Sequence, residues 1–329
     1  MDADSLAAIC AVYTALVIKA AIDVGSNSVL LVAMQQTEAG WITLHEASAV
    51  TGLGKGTKLS GLLDPEGASA TLDVLQRFFD EARSHGATEI LAGGTMALRI
   101  ASDSQTFLER AEAQQTPVFI VSGPQEAELG FLSVCEDPLF AQESRLSIVD
   151  PGGHSTELVT ADRTASGWEV KFRKSYPLGA LGLRETSMPA ESPGFSERLF
   201  TVDAIDTTIA LEYLPHQCGR VVALGATGTN LVSIRDRLVS WQPDKVHGAV
   251  LDFEEVSRAV GWMCDMDDAG RAAIVGLEQG REKTIHIGAL ILERFLHCLH
   301  ALECTVSVRG WRHALISHGL PAEAATLQG

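Results

Sequence analysis

Two short stretches pair an aspartate with a glycine two residues on and then a small polar loop: Asp23-Val24-Gly25-Ser26-Asn27-Ser28 and Asp150-Pro151-Gly152-Gly153-His154-Ser155. A carboxylate at a strand end holds a cation or a water, and a glycine-containing turn aims successive backbone N–H groups at an anion. The chemistry this combination offers is phosphate binding beside a metal ion. One Asp-x-Gly is an ordinary strand-turn signal. Here the surroundings repeat as well, without a gap, at a constant offset of 127 residues: Gly25 aligns with Gly152, Ser28 with Ser155, Gly40 with Gly167 and Trp41 with Trp168.

Each copy runs from an apolar stretch into Asp-x-Gly, through the polar loop to a second apolar stretch, and through a polar turn to a third strand opened by Gly-Trp. That pattern is a β-meander with the loop at its first turn. A duplicated meander predicts two similar lobes with a ligand in the cleft between them.

The elements that position these loops read as alternating strands and helices. A first strand is expected at Val17 to Asp23. Asp64 followed by Pro65 opens a helix carrying Leu72, Leu75, Phe78, Phe79 and Ala82 at helical spacing up to Gly86. Strands at Glu89 to Ala92 and Pro117 to Val121 flank a helix from Ser104 to Gln114. Ser122 and Gln125 form a capping box for a helix over Gly123 to Val134. In the second half, strands are expected at 146–150, 157–161, 169–172, 221–224 and 304–308, and helices at 201–213, 227–234, 254–263, 284–302 and 310–318.

Composition narrows the class. With 25 Lys+Arg against 42 Asp+Glu the formal charge is −17, which argues against nucleic acid as a partner. A chain of 329 residues, 46% hydrophobic and 20% charged, has the makeup of a folded protein with two domains. The six cysteines lack a CxxC pair or a dense framework and read as reduced thiols of a cytoplasmic protein. Leu6 to Ala21 is apolar but has Asp2 and Asp4 before it and Lys19 within it, so it reads as an extension into the first strand rather than a signal sequence or a membrane span. His297, His300 and Cys304 fall at i, i+3 and i+7, a spacing read as packing between helices rather than as a metal site.

Nine segments in order resemble one family: IDVGSNS (22–28), GTMALR (94–99), SGPQEAEL (122–129), VDPGGHSTEL (149–158), PLGALGL (177–183), LGATGTNL (224–231), VHG (246–248), GALIL (288–292) and RGWRHAL (309–315). From Ile22 to Arg312 the chain resembles the exopolyphosphatase and guanosine pentaphosphate phosphatase family of the actin, heat-shock and sugar-kinase superfamily. The resemblance implies an α/β fold of two actin-like, ribonuclease H-like lobes, divided as 1–121 plus 304–329 and 122–303. It implies a homodimer and Mg2+-dependent release of a terminal phosphate from inorganic polyphosphate, short chains above all, or of the 5′ phosphate from guanosine pentaphosphate. The family's general base falls on Glu126, and Gln125 takes the place of a second glutamate. Asp150 and Glu157 match the metal-associated carboxylates, with Asp23 as the first lobe's equivalent. Gly25, Ser26, Asn27 and Ser28 match one phosphate loop. Gly152, Gly153, His154, Ser155 and Thr156 match the other, and Gly225, Ala226 and Thr227 a third turn. Arg99 matches an arginine that reaches the substrate phosphates.

Five positions depart from the family pattern: Pro151, His154, Leu30, Gly182 and Ala226. A protonated His154 is a candidate phosphate-facing cation, and Lys55 and Lys58 are candidates to replace lost positive charge. The departures keep a second reading open, a weak or inactive sensor that binds guanosine tetra- or pentaphosphate or polyphosphate. An ATP-dependent kinase is disfavoured, since no acceptor-binding motif accompanies the loops.

Overall fold

The computed structural model describes residues 17–209 and 218–322. The expectations placed on the extension before residue 17 and on the helix beyond 209 lie outside them. Two sheets organise the chain. The first has the order β3-β2-β1-β4-β5, with β1 (Ile18–Val24), β2 (Ser28–Thr37) and β3 (Gly40–Val50) antiparallel and β4 (Glu89–Gly94) and β5 (Phe119–Ile120) parallel to β1. The second repeats that order with β8 (Gly167–Tyr176), β7 (Thr156–Thr164), β6 (Arg145–Pro151), β9 (Arg220–Ala223) and β11 (Glu303–Val306), and adds β10 (Val250–Asp252) at the edge.

The internal repeat extends to fine detail. The Gly25 N–H donates to the Ser28 carbonyl at 2.9 Å, and the Gly152 N–H to the Ser155 carbonyl at 2.8 Å. At the second turn, Thr37 Oγ1 donates to the Gly40 carbonyl and Thr164 Oγ1 to the Gly167 carbonyl. Both meanders carry a register shift at the same place, between Ala33 and Met34 and between Thr160 and Ala161. A bulge bends its strand and increases local twist, so the two ladders curl alike.

Helices cover these sheets by their apolar faces. Pro65–Ser84, capped by Asp64, buries Leu72, Leu75, Phe78 and Phe79 on the first sheet. Helices Gly225–Arg235, Phe253–Cys264 and Ile285–Cys298 bury theirs on the second. Helix Gly123–Cys135 serves both lobes. Its Ala127, Phe131 and Val134 pack on the second sheet, while Leu129 joins Trp311, Leu315 and Ile316 of helix Trp311–His318 under the first. An apolar surface on more than one side lets a helix lie buried between two layers.

Several expectations change. β11 hydrogen-bonds to β9 and β10, so residues 303–306 belong to the second sheet, and the return to the first lobe falls after Val306 rather than at residue 304. The strand expected at Pro117 to Val121 is only Phe119–Ile120. Short helices Met96–Ile100 and Ala180–Thr186 and strand β10 were not anticipated, because each is too short to show a periodicity. His297 and His300 are exposed, not packed between helices, while Cys304 is buried in β11.

Candidate active site

Four carboxylates line one cleft between the lobes. Asp23 is the last residue but one of β1 and Asp150 the last but one of β6, as the repeat requires. Glu157, the second residue of β7, lies directly opposite Asp150 in the antiparallel ladder, which sets the two side chains on the same face of the sheet. Glu126 comes from the helix that joins the lobes, one residue after the capping-box Gln125.

The environment makes these groups hard to ionise. Asp150 is pushed up to about 7, first by burial and then by the charge of Glu126, with Arg312 opposing. Burial also raises Asp23 and Glu157 well above the usual carboxylate range, and the neighbouring carboxylates raise both further. Burial raises Glu126 as well, and Arg99 works against it. The Asp23 Oδ1 atom is buried without a hydrogen-bond partner. Among the described residues no three His, Cys, Asp or Glu side chains converge as a ready-made metal cage. Mg2+ does not need one: it keeps several waters and takes one or two carboxylates together with substrate phosphate oxygens. Crowded acids with an orphaned oxygen suit such an ion, because a divalent charge relieves both the repulsion and the missing partner.

The glycines are fixed by space more than by dihedral angle. Neither Gly25 nor Gly152 has a positive φ. A Cβ would lie 2.9 Å from the Ser28 carbonyl oxygen at Gly25, and 2.9 Å from that of Ser155 at Gly152. The turns use those two N–H groups and leave the ones between them, from Ser26, Asn27, Gly153 and His154, outside the turn hydrogen bonds. Gly225 combines both constraints: its φ is +73° and a Cβ would meet Asp150 Oδ1 at 2.5 Å. Helix Gly225–Arg235 can therefore start against the carboxylate only with glycine there.

Of the expected residues, Gly25, Ser26, Asn27, Ser28, Gly152, Gly153, His154, Ser155, Gly225, Ala226 and Thr227 line the cleft with the four acids. Thr156 does not. Its side chain is fully buried and Oγ1 donates to the Leu178 carbonyl at 2.7 Å, behind the loop. Arg99 does not line the cleft either; its guanidinium donates to Glu126 at 2.8 Å and to the Val121 carbonyl. It is placed to hold the glutamate rather than to meet a phosphate.

The expectation of a cationic His154 is overturned. The ring is fully buried, and its pKa falls to about 4, through burial first and then the charge of Lys58. It fills space beneath Gly54, where a Cβ would lie 2.8 Å from the ring. His154 also does not adopt a positive φ. Lys55 is exposed, while Lys58 lies over Gly182 and donates to the Pro177 carbonyl at 2.8 Å. A Cβ at 182 would fall 2.8 Å from the Lys58 ammonium, so a side chain there would require the end of the lysine to swing aside.

Arg281 and Trp311 also line the cleft, and neither was named among the expected site residues. Arg281 pairs with Glu278 and reaches across the lobes to Ser28 Oγ at 3.1 Å, while Ser48 of the first lobe donates to Glu278. Trp311 lies beside Asp23 and partly offsets the rise in its proton affinity. Trp311 lay within a motif already noted. Arg281 stands in a charged run before an apolar helix, where a solvated arginine is the ordinary case.

Two meanders of identical register, facing across a cleft with a carboxylate at each first turn, define an actin-like, two-lobed α/β fold. Three comparisons place the chain within that class. The model of the Ppx/GppA phosphatase family matches residues 31–323, and the chain belongs to that family. It is 26% identical over 310 residues to exopolyphosphatase 1 of Mycobacterium tuberculosis, covering 92% of this chain and 88% of the relative. The crystal structure of the Aquifex aeolicus family member is similar with a TM-score of 0.75 and 26% identity, over 92% of this chain and 96% of that one. An exopolyphosphatase from Cytophaga hutchinsonii shares the fold, with a TM-score of 0.80 at 21% identity over 91% of this chain and 96% of that one. The protein is accordingly an enzyme, a phosphatase of this family.

Proposed function

We propose that the chain is a Mg2+-dependent hydrolase that removes the terminal phosphate of inorganic polyphosphate. One observation carries this reading: Glu126, the only one of the four cleft acids in an ion pair among the described residues, faces Asp150 and Glu157 between two glycine-serine loops. The reactive end of a polyphosphate needs an anion cradle, a cation and a base, and these residues are of the types that supply them.

In this reading Asp150 and Glu157, with Asp23 beside them, hold Mg2+, which when bound offsets charge on the phosphate oxygens. Glu126 takes the proton from the attacking water. Its raised proton affinity makes it a better base than a solvated glutamate, and Arg99 keeps it ionised and aimed. The N–H groups of the paired loops and the guanidinium of Arg281 hold the phosphate chain. The test is release of free phosphate from tripolyphosphate, longer polyphosphate and guanosine pentaphosphate, with Mg2+ and with a chelator. Release from the inorganic chains, lost with the chelator, is the expected result. Binding of these ligands without release would replace hydrolysis with the sensor reading, which the neutral His154 favours.

A further inference from the structure

In the sheet of the second lobe, Glu157 of β7 faces Asp150 of β6 on one side and Ser175 of β8 on the other. The three side chains therefore stand in line on one face of three adjacent strands. Ser175 Oγ donates to Glu157 Oε1 at 2.6 Å, and the Glu157 carboxylate makes no other hydrogen bond among the described residues. Glu157 lines the cleft and Ser175 does not. One oxygen of the glutamate is thus tied from outside the cleft, and the other is left for it.

A glutamate in this position needs such a tie. The charges of Glu126 and Asp150 bear on it, and a long side chain has the rotamer freedom to turn away from them. A serine hydroxyl fixes the carboxylate without adding a charge, whereas a lysine or arginine in its place would cancel the charge that a cation requires. The serine is itself held. A Cβ on Gly123, the first residue of the helix that carries Glu126, would come within 3.3 Å of Ser175 Cβ and 3.4 Å of its Oγ, so the start of that helix lies directly against it.

The first lobe supplies an internal comparison. At the same 127-residue offset it sets Asp23, Leu30 and Ser48 in line. Leu30 offers no acceptor, and Ser48 donates instead to Glu278 of the other lobe. Both meanders carry the serine, but only in the second does it hold an acid of its own sheet. We propose that Ser175 is a positioning residue for the reaction: its hydroxyl holds Glu157 so that the free oxygen faces the ion shared with Asp150. The proposal rests on the reading of Asp150 and Glu157 as the carboxylates that hold Mg2+.

The test is calorimetric binding of Mg2+ to the full chain, alone and with inorganic phosphate, for the wild type, Ser175→Ala, Ser175→Thr and Ser48→Ala. Thermal melts establish that the variants fold, and Ser175→Cys, a weaker donor, replaces the alanine variant if that one does not, with a loss expected in the same direction. Removing the partner behind a metal ligand weakens metal binding ~10–100-fold. That loss is expected of Ser175→Ala, whereas Ser175→Thr, which keeps the hydroxyl, and Ser48→Ala should stay close to the wild type. In phosphate release from tripolyphosphate, the Mg2+ concentration for half-maximal rate should rise by the same factor in Ser175→Ala, with kcat at saturating Mg2+ little changed. Equal Mg2+ affinity in the wild type and Ser175→Ala would overturn the proposal and leave the ion site standing. So would equal losses in Ser175→Ala and Ser175→Thr, which would make the serine a packing element, or in Ser175→Ala and Ser48→Ala, which would make the effect general to both lobes. A wild type that binds no Mg2+ in either condition would sink the ion site itself and the proposal with it.

Discussion

Asp150 and Glu157 are direct cross-strand partners in the β6–β7 ladder, and the equivalent partners in the first lobe are Asp23 and Leu30. The duplication preserved the backbone and divided the chemistry: one meander keeps a pair of facing acids, the other a single acid beside an apolar side chain. Glu157→Leu copies the first pairing onto the second. It is expected to reduce phosphate release at least ~10²-fold and to raise the melting temperature, since a desolvated carboxylate is replaced by an apolar group. Retention of turnover would remove Glu157 from the site.

Glu126→Gln keeps the shape of the side chain and removes its basicity. A fall in kcat of ~10²–10⁴-fold is expected, with circular dichroism and the thermal transition close to wild type. Arg99 is tied to Glu126 and lies outside the cleft lining, so Arg99→Ala should lower kcat with little change in KM. It should also cost about 3 kcal/mol of stability by stranding a buried charge. An effect on KM alone would return Arg99 to the role of a phosphate ligand.

The proton affinity of Asp150 has a signed consequence for stability. Its pKa is 3.8 in the unfolded reference and about 7 in the fold, so between those values the folded chain holds more protons and loses stability as the pH rises. Asp150→Asn removes that penalty. In the presence of a chelator, the variant's gain over wild type should be absent below about pH 4, grow between pH 4 and 7, and level off above at roughly 2–4 kcal/mol. Denaturant melts at a series of pH values measure it; a pH-independent difference would mean that Asp150 titrates normally.

Arg281 bridges the lobes to Ser28 and lines the cleft. Arg281→Ala is expected to raise KM for tripolyphosphate ~10–100-fold, the worth of a charge-assisted hydrogen bond, with a smaller change in kcat. Steady-state kinetics separates the two parameters, and a pure kcat effect would make the residue a strut between lobes.

At Gly225 a methyl group would meet Asp150 Oδ1 at 2.5 Å on a backbone of φ +73°. Gly225→Ala should displace the carboxylate and raise the Mg2+ concentration needed for half-maximal release. The same change at Gly261, where nothing lies within 4 Å, should leave activity intact and serves as the control.

Much of this protein was legible in one dimension. The 127-residue repeat contains the two meanders, both loops, Asp23 and Asp150, because period-two alternation and turn chemistry are local properties of the chain. The Ser122 capping box placed Glu126 on a helix for the same reason. Local signals do not say what a side chain meets across a cleft. Burial turned His154 from a candidate cation into a neutral spacer, and packing turned Arg99 toward Glu126. The fold took Thr156 behind its loop, and it brought Arg281 to Ser28, 253 residues away in sequence. The sheet, not the sequence, also assigned β11 to the second lobe, since a four-residue strand carries no mark of its partners. Residue types and spacing determined which chemistry was on offer; the tertiary structure decided which groups are desolvated together, and so which of them can perform it.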